Sequence, residues 1–225
     1  MKTRAYYSST LDGFLGQESS SIVGELSKYH SQDLVQLQTG AWIQQINILK
    51  SQLSGFASKG NAVFFEFGIP RMGKRADVVL FIDGIVFVLE FKVGASKYQS
   101  HDKEQALDYG LDLKHFHAGS HEAIVVPMLV ATEAQRIEAQ YQSLSLDQDG
   151  LAGLICCDKE NIGISVQRCV DLWRDRPFKV EEPFAWAASA YKPTPTIVQG
   201  ARRINRTGDR LISWNHLVIS QHRGA

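Results

Sequence analysis

The chain has 225 residues, and its 24 Lys and Arg residues balance its 24 Asp and Glu residues, so the formal net charge is zero. Hydrophobic residues make up 44% of the chain and charged residues 21%, which excludes a disordered or fibrous protein and indicates a globular one. Three cysteines without a CxxC pair, a start without an apolar leader, and apolar runs too short to cross a bilayer predict a cytoplasmic protein without a membrane partner.

Hydrophobic spacing predicts two helices and a strand in the first third of the chain. Residues 17–30 carry apolar side chains at helical spacing, and residues 41–57 carry a continuous apolar stripe. Residues 63–67 follow as a short apolar strand, which Gly68 and Pro70 are expected to end. The stripe of the second helix consists of Trp42, Ile46, Leu49, Leu53 and Phe56.

The strongest local pattern is a β-hairpin over residues 75–93. Two runs rich in β-branched and aromatic residues flank Asp83-Gly84, a dipeptide favoured in two-residue hairpin turns. Both runs are apolar on both faces over most of their length. This predicts that the hairpin strands lie at the centre of a sheet that helices cover on each side.

Helix and strand patterns continue to alternate after the hairpin. Residues 97–116 and 163–174 predict helices, and residues 123–131 and 151–157 predict buried strands. The core order from the second helix onward is α-β-β-β-α-β. This order predicts an α/β fold with a central mixed β-sheet flanked by helices.

The C-terminal residues differ from the rest of the chain in charge. We divide the chain into an N-terminal helical extension (residues 1–40), the α/β domain (residues 41–190) and a basic segment (residues 191–225) that begins with a Pro-rich break. Residues 192–225 carry six Lys and Arg against one Asp, a net charge of +5 that leaves −5 for the remainder. The neutral total therefore conceals an acidic body and a basic end.

A two-residue hairpin turn sets a register that pairs Asp77 with Glu90. Their carboxylates share one face with Lys92, whereas the opposite face, from Ala76 to Phe91, is wholly apolar. Directly opposed side chains have Cβ atoms about 4.5–5.5 Å apart, so two carboxylates there repel each other and lose solvation. Mg²⁺ prefers carboxylate oxygens as ligands, which makes this pair a candidate metal site.

The pair predicts a Mg²⁺ site in which Asp77 and Glu90 are the ligands. Lys92 either orients a metal-bound water or stabilises the charge that develops on a phosphate. The alternative interpretation is an Asp at a strand end together with a Glu–Lys pair on the rim of the sheet. We favour the metal site because opposed buried carboxylates are costly when no cation neutralises them.

Asp77 and the triplet Glu90-Phe91-Lys92 on the next strand resemble the D…ExK signature of the PD-(D/E)XK nuclease superfamily. The predicted order of helices and strands over about residues 41–157 is similar to the core order of that superfamily. The resemblance implies a restriction-endonuclease-like fold and a nuclease whose catalytic residues are these two carboxylates and the Lys.

The helix after the hairpin extends the resemblance. Gln105 and Tyr109 are similar to the QxxxY motif of RecB-like nucleases, in which the two side chains support the metal site and the DNA. Four residues apart, they share one helix face. One feature departs from the pattern, because Ala76 stands where a Pro often precedes the Asp. A second D-x-K triplet at residues 112–114 lies on a predicted helix and is interpreted as accidental.

Other charged residues have two interpretations each. Glu66 on the preceding strand is either an additional acidic ligand or a solvated residue at a strand end. Arg71, Lys74 and Arg75, on the loop before the hairpin, either contact a phosphate backbone or only keep the loop soluble. A basic patch near the C-terminus is either a nucleic-acid contact or an exposed helix face, and it consists of Arg202, Arg203 and Arg206.

A more specific resemblance involves both ends of the chain. The helix that begins with Ala41-Trp42, the runs FEFGIP, KRADVVLFI and VLEFK, and the segment YKPTPTIVQGAR resemble the N-terminal part of large bacterial proteins. Those proteins join a nuclease-like domain to a Schlafen-type helicase/ATPase. The resemblance implies that this chain is a stand-alone relative or a shortened form of such a protein.

The function implied by these resemblances is a Mg²⁺-dependent nuclease, with Mn²⁺ as a substitute metal, that hydrolyses phosphodiester bonds in phage defence or in DNA repair and processing. The expected partners are nucleic acid, DNA before RNA, a helicase/ATPase and a second copy of the chain. The alternative is a catalytically inactive nuclease-like module that binds nucleic acid or docks on a helicase/ATPase. The retained Asp, Glu and Lys favour the enzyme.

Overall fold

The computed structural model describes residues 4–29, 32–135, 144–176 and 182–194, without the side chains of residues 32–37. No helix within these ranges is long and apolar enough to cross a membrane. Outside the described residues lies the C-terminal basic patch of Arg202, Arg203 and Arg206.

In the described residues, a six-stranded mixed β-sheet forms the centre of the fold, with the strands in sequence order. They are β1 (Tyr7–Thr10), β2 (Ala62–Ile69), β3 (Lys74–Ile82), β4 (Ile85–Lys92), β5 (Ile124–Ala131) and β6 (Ile155–Cys157). Successive strands from β1 to β4 pair in antiparallel orientation, whereas β5 pairs in parallel with both β4 and β6. The predicted hairpin supplies the two central strands, which confirms the mixed sheet and the central place of the hairpin.

Helices pack on both faces of this sheet. They are α1 (Leu11–Gly16), α2 (Ser19–Ser27), α3 (Gln32–Gln52), α4 (Ser100–Phe116), α5 (Ile162–Trp173) and α6 (Pro183–Ala187). Three of them, α2, α4 and α5, lie within or close to predicted helices. The helix predicted at residues 41–57 begins earlier, at Gln32, and the last part of its apolar stripe continues in a 3₁₀ turn, Ser54–Phe56.

Two strands differ in length from the prediction. β2 continues past Gly68 because the Gly68 N–H donates a hydrogen bond to the Arg4 carbonyl at 2.7 Å and so stays paired at the edge of the sheet. β6 is shorter than the predicted strand, and Leu151 forms an isolated parallel bridge with Val125 instead of joining the strand.

The edge strand β1 is not predicted by the sequence pattern. It forms because its backbone pairs with β2, from Tyr7–Phe65 to Thr10–Ala62. Helices α1 and α2 follow it and bury apolar side chains in the same core as the sheet, namely Leu11, Phe14, Ile22 and Leu26. Residues of the predicted N-terminal extension therefore form part of the sheet and its core.

The sheet separates two apolar layers. Alternate residues of β4 point to opposite faces: Phe87 and Leu89 join the layer with α1, α2, α3 and α5, whereas Val86 and Val88 join the layer with α4 and α6. Burial of each such side chain stabilises the fold by about 1.5–3 kcal/mol. The central strands are therefore a rigid support for side chains at the end of β4.

Lys114 on α4 anchors the connection from this helix to β5. The residue is 1% exposed, and Nζ donates to the backbone carbonyls of Ser120, His121 and Ala123 at 3.1, 2.8 and 2.7 Å. Burial lowers the pKa of Lys114 to about 8, against the attraction of nearby acidic residues. The side chain thus has a structural role within the second D-x-K triplet.

Replacing Lys114 with Met is expected to destabilise the protein by about 1–3 kcal/mol, because three buried carbonyls lose their donor. The stability that the Lys114→Met variant loses relative to the wild type should increase as the pH rises. Between about pH 8 and pH 10 the folded protein releases the Lys114 proton while the unfolded chain keeps it. The free energy of unfolding of the wild type therefore rises with pH relative to the variant, by about 2 kcal/mol. Denaturant unfolding at both pH values measures this difference, and a constant or falling difference would contradict the lowered pKa.

Candidate metal centre

The two strands of the hairpin separate at the carboxylates. The predicted two-residue turn forms, and the paired residues extend from the turn to Val78–Leu89. Asp77 and Glu90 lie one position beyond this ladder, so the predicted register is confirmed up to Val78–Leu89 but the ladder does not include the carboxylate pair itself. In this register the Phe91 N–H would donate to the Ala76 carbonyl. It donates instead to Asp77 Oδ2 at 2.7 Å, which ends the ladder. A side-chain bond replaces a ladder bond and fixes the Asp77 carboxylate.

Glu66 lies beside this opening with an unusual backbone. Its φ of +52° is in the left-handed region, which is uncommon for a residue with a Cβ atom. β2 pairs with β3 on both sides of Glu66. The regular alternation of side chains between the two faces of the sheet is interrupted at this position. As a result, the paired residues Phe67 and Ala76 both lie in the α4 layer. The prediction that Ala76 faces the opposite layer is therefore wrong, and the irregular backbone explains why.

The Glu66 carboxylate contacts two side chains that hold it near the pair. Oε1 accepts a hydrogen bond from Trp42 Nε1 at 3.1 Å, and Oε2 lies 3.9 Å from Arg75 Nε. Burial is the main cause of the raised pKa values of Asp77 and Glu90, and the Glu66 charge adds to it in both cases. Glu66 is thus an acidic neighbour of both carboxylates.

Glu90 is 5% exposed, and its two oxygens have different environments. Oε1 accepts hydrogen bonds from Lys92 Nζ at 3.0 Å and from Gln105 Nε2 at 2.8 Å. Oε2 is buried and has no hydrogen-bond partner within the described part of the chain. A buried carboxylate oxygen in this state is costly unless a ligand completes its contacts.

The Lys92 ammonium contacts three acceptors. Besides Glu90 Oε1, it donates to Gln105 Oε1 at 3.1 Å and forms an ion pair with Asp102 Oδ1 at 3.2 Å. Burial lowers the pKa of Lys92, but the charges of Glu90 and Asp102 outweigh it, so the net pKa is raised and Lys92 stays cationic. The ammonium group is therefore held at a fixed position beside Glu90.

Asp102 is the site residue that sequence reasoning missed. It lies in the first turn of α4 and is 5% exposed, and its Oδ1 also pairs with His101 Nε2 at 3.0 Å. A signal was present, because Asp102 precedes Gln105 by three residues and so shares the helix face that carries the QxxxY-like motif.

Gln105 and Tyr109 lie on one face of α4, as predicted from their spacing. Gln105 Nε2 donates both to Glu90 Oε1 and to the Tyr109 hydroxyl, each at 2.8 Å. Tyr109 is 2% exposed, and its pKa is raised mainly by burial, with the Glu90 and Asp77 charges adding to the effect. The two side chains form a bridge from the helix to the carboxylates.

The centre carries an excess of negative charge. Burial, followed by the Glu90 charge, raises the pKa of Asp77 well above its usual value, and burial also raises the pKa of Glu90 although Lys92 opposes it. A second cation would lower the free energy of both carboxylates. Carboxylate oxygens, one of them buried without a partner, are the donors that a hard divalent ion such as Mg²⁺ prefers, so the residues present fit the metal.

The centre is built on two carboxylates. Within the described ranges of the chain, no group of three or more His, Cys, Asp or Glu residues is arranged to hold a metal ion. Mg²⁺ commonly completes its coordination with water and substrate oxygens when a protein supplies only one or two carboxylates.

Of the three cations predicted on a loop, only Arg71 precedes β3, whereas Lys74 and Arg75 are the first residues of that strand. Arg71 pairs with the buried carboxylate of Asp112, and its guanidinium carbon lies 4.2 Å from the Phe116 ring centroid. Arg75 donates to the Glu66 carbonyl at 2.6 Å. Lys74 is exposed, so it is the cation of this group best placed for a phosphate. Both charged residues of the second D-x-K triplet thus have partners within the protein: Asp112 pairs with Arg71, and Lys114 donates to backbone carbonyls.

Comparison with known protein families gives no match for this chain. Comparison with curated proteins gives no match either.

Proposed function

We propose that the chain is a Mg²⁺-dependent nuclease with a restriction-endonuclease-like core, for which Mn²⁺ substitutes. The single observation that carries the proposal is the buried Glu90 Oε2 without a hydrogen-bond partner, beside a second carboxylate and an ammonium. The order α3, β2, β3, β4, α4, β5 supports it, because it is the core order of the superfamily that the D…ExK residues resemble.

Each side chain at the centre has a distinct proposed role. Asp77 and Glu90 hold the metal, which supplies positive charge at a phosphoryl oxygen and lowers the pKa of a bound water. Lys92 donates to the negative charge that develops on the phosphate. Gln105 orients both Glu90 and Lys92, and Tyr109 fixes the Gln105 amide from behind.

DNA is the proposed substrate before RNA, and a Schlafen-type helicase/ATPase is the proposed partner. Both follow from the sequence resemblance. Exposed Lys74 at the start of β3 supports contact with a phosphate backbone. The acidic body of the chain is compatible with such a substrate, because a bound divalent ion supplies positive charge where the phosphate lies.

The proposal is tested by incubating the protein with linear duplex, circular and single-stranded DNA, and with RNA, in Mg²⁺, Mn²⁺ or EDTA. We expect cleavage of at least one substrate with either metal, and none with EDTA or with Asp77→Asn. Cleavage that survives EDTA would sink the metal-dependent mechanism. If none is cleaved under any condition, the inactive-module alternative replaces the proposal.

Replacing Asp102 with Asn is expected to lower kcat about tenfold, as changes behind a catalytic group commonly do, with KM changed less than about twofold. The substitution keeps the shape of the side chain but removes the charge that holds Lys92. Steady-state cleavage kinetics measure the split between kcat and KM. Glu104→Gln, on an exposed position of the same helix, is the matched control. An equal loss in the control, or a loss confined to KM, would contradict a positioning role.

A further inference from the structure

Two tyrosines stack on each other close to the metal centre. The Tyr6 and Tyr29 ring centroids are 4.5 Å apart with an interplanar angle of 6°, which is a parallel stack. The Arg75 guanidinium carbon lies 3.6 Å from the centroid of the Tyr6 ring. We call Tyr6 and Tyr29 the tyrosine stack, and Arg75 closes its inner end.

The outer end of the stack is open to solvent. Tyr29 is 46% exposed although one face of its ring is covered by Tyr6, so the other face is accessible. Its backbone N–H donates to the Leu26 carbonyl at 3.3 Å at the end of α2. The open ring thus lies just beyond the C-terminal end of α2.

The inner end of the stack leads to the carboxylates. Arg75 donates to the Glu66 carbonyl at 2.6 Å and to the Arg4 carbonyl at 2.9 Å. The Glu66 charge in turn acts on Asp77, which lies two residues after Arg75 on β3. The stack and the metal centre are therefore connected through Arg75 and Glu66.

An exposed cation lies next to the open ring in the chain, because Lys28 directly precedes Tyr29. Arg75 supplies a second positive charge at the inner end of the stack. Stacking of bases on aromatic rings next to cations is how single strands are bound without sequence preference.

We propose that the tyrosine stack is a base-stacking platform and that an unpaired nucleic-acid strand is therefore the substrate class. This inference rests on the proposed nuclease function and specifies its substrate. A base inside a duplex has both faces covered by its neighbours, so an unpaired or terminal base is needed to cover the open face of Tyr29. The stack then extends to four layers: base, Tyr29, Tyr6 and Arg75.

The test measures binding apart from cleavage. Fluorescence anisotropy in EDTA follows a labelled oligothymidine of about 12 nucleotides, an abasic strand of the same length, and a duplex of the same length. We expect Tyr29→Ala to weaken binding of the oligothymidine about tenfold, and Tyr29→Phe to retain it, because Phe preserves the ring. Duplex binding should be equal in all three proteins.

The wild-type protein supplies a second readout that needs no variant. It should bind oligothymidine about tenfold more tightly than the abasic strand, which has the same charge but no bases. Equal binding of these two strands, or unchanged binding by Tyr29→Ala, would overturn the platform. Metal-dependent cleavage that persists in that case leaves the nuclease proposal intact, so the two failures are distinguishable.

Discussion

Replacing Asp77 with Asn is expected to abolish metal-dependent cleavage while it stabilises the metal-free protein. The activity should fall more than the roughly 10–100-fold that is typical for residues behind a metal ligand, because Asp77 is proposed as a ligand itself. Asn has nearly the same shape, and its Oδ1 can still accept the hydrogen bond that the Phe91 N–H donates to Asp77. The substitution therefore removes the charge and little else.

The gain in stability follows from the repulsion between the carboxylates. Burial and the Glu90 charge raise the pKa of Asp77, which means that ionising both groups in the folded metal-free protein costs free energy. Removing one charge relieves this, and we expect the free energy of unfolding to rise by about 1 kcal/mol. Activity and stability should thus change in opposite directions, as expected for a functional site.

Thermal unfolding with and without Mg²⁺ measures both sides of this prediction. The wild type should gain Tm when Mg²⁺ is added, because the ion binds the folded state, and Asp77→Asn should not. Asp83→Asn is the matched control: Asp83 is an exposed turn residue with φ of +50°, a conformation that Asn also tolerates. An Mg²⁺-induced rise in Tm that persists in Asp77→Asn would exclude Asp77 as a ligand.

The hairpin is the part of the fold that could be predicted best. A two-residue turn fixes the register of everything that follows it, so Asp83-Gly84 determined the pairs from Ile82–Ile85 to Val78–Leu89. The same local signals placed Gln105 and Tyr109 on one helix face. Such features depend on residues close in sequence, and a single sequence contains them.

The rest of the candidate site depends on contacts between distant segments. The ladder ends where the Asp77 side chain takes the Phe91 N–H, and the alternation of β2 changes at Glu66, where Trp42 from α3 holds the carboxylate. Asp102 reaches Lys92 only because α4 crosses the end of β4. Apart from the helix face that Asp102 shares with Gln105, neither a propensity nor a periodicity encodes these arrangements.

Replacing Lys92 with Met is expected to have the opposite effect on stability to Asp77→Asn. Lys92 is the cation between the buried carboxylates of Glu90 and Asp102, and removing one partner of a buried ion pair leaves an uncompensated charge. Because 24% of the Lys92 side chain is exposed, solvent screens the pair, and we expect a loss below the roughly 3–5 kcal/mol of a fully buried pair, about 2 kcal/mol. Cleavage should fall about 100–1,000-fold, since a donor to the phosphate is lost.

The decisive measurement is again the response to Mg²⁺. Without Lys92 the centre is more negative, so a divalent ion should stabilise Lys92→Met more than it stabilises the wild type. Lys97→Met, on an exposed position after β4, is the control and should respond like the wild type. A smaller Mg²⁺-induced rise in Tm for Lys92→Met would mean that Lys92 serves to bind the metal indirectly and does not act on the phosphate. Together with the loss of response in Asp77→Asn, a larger rise would locate the ion between the two carboxylates and assign the ammonium a separate role.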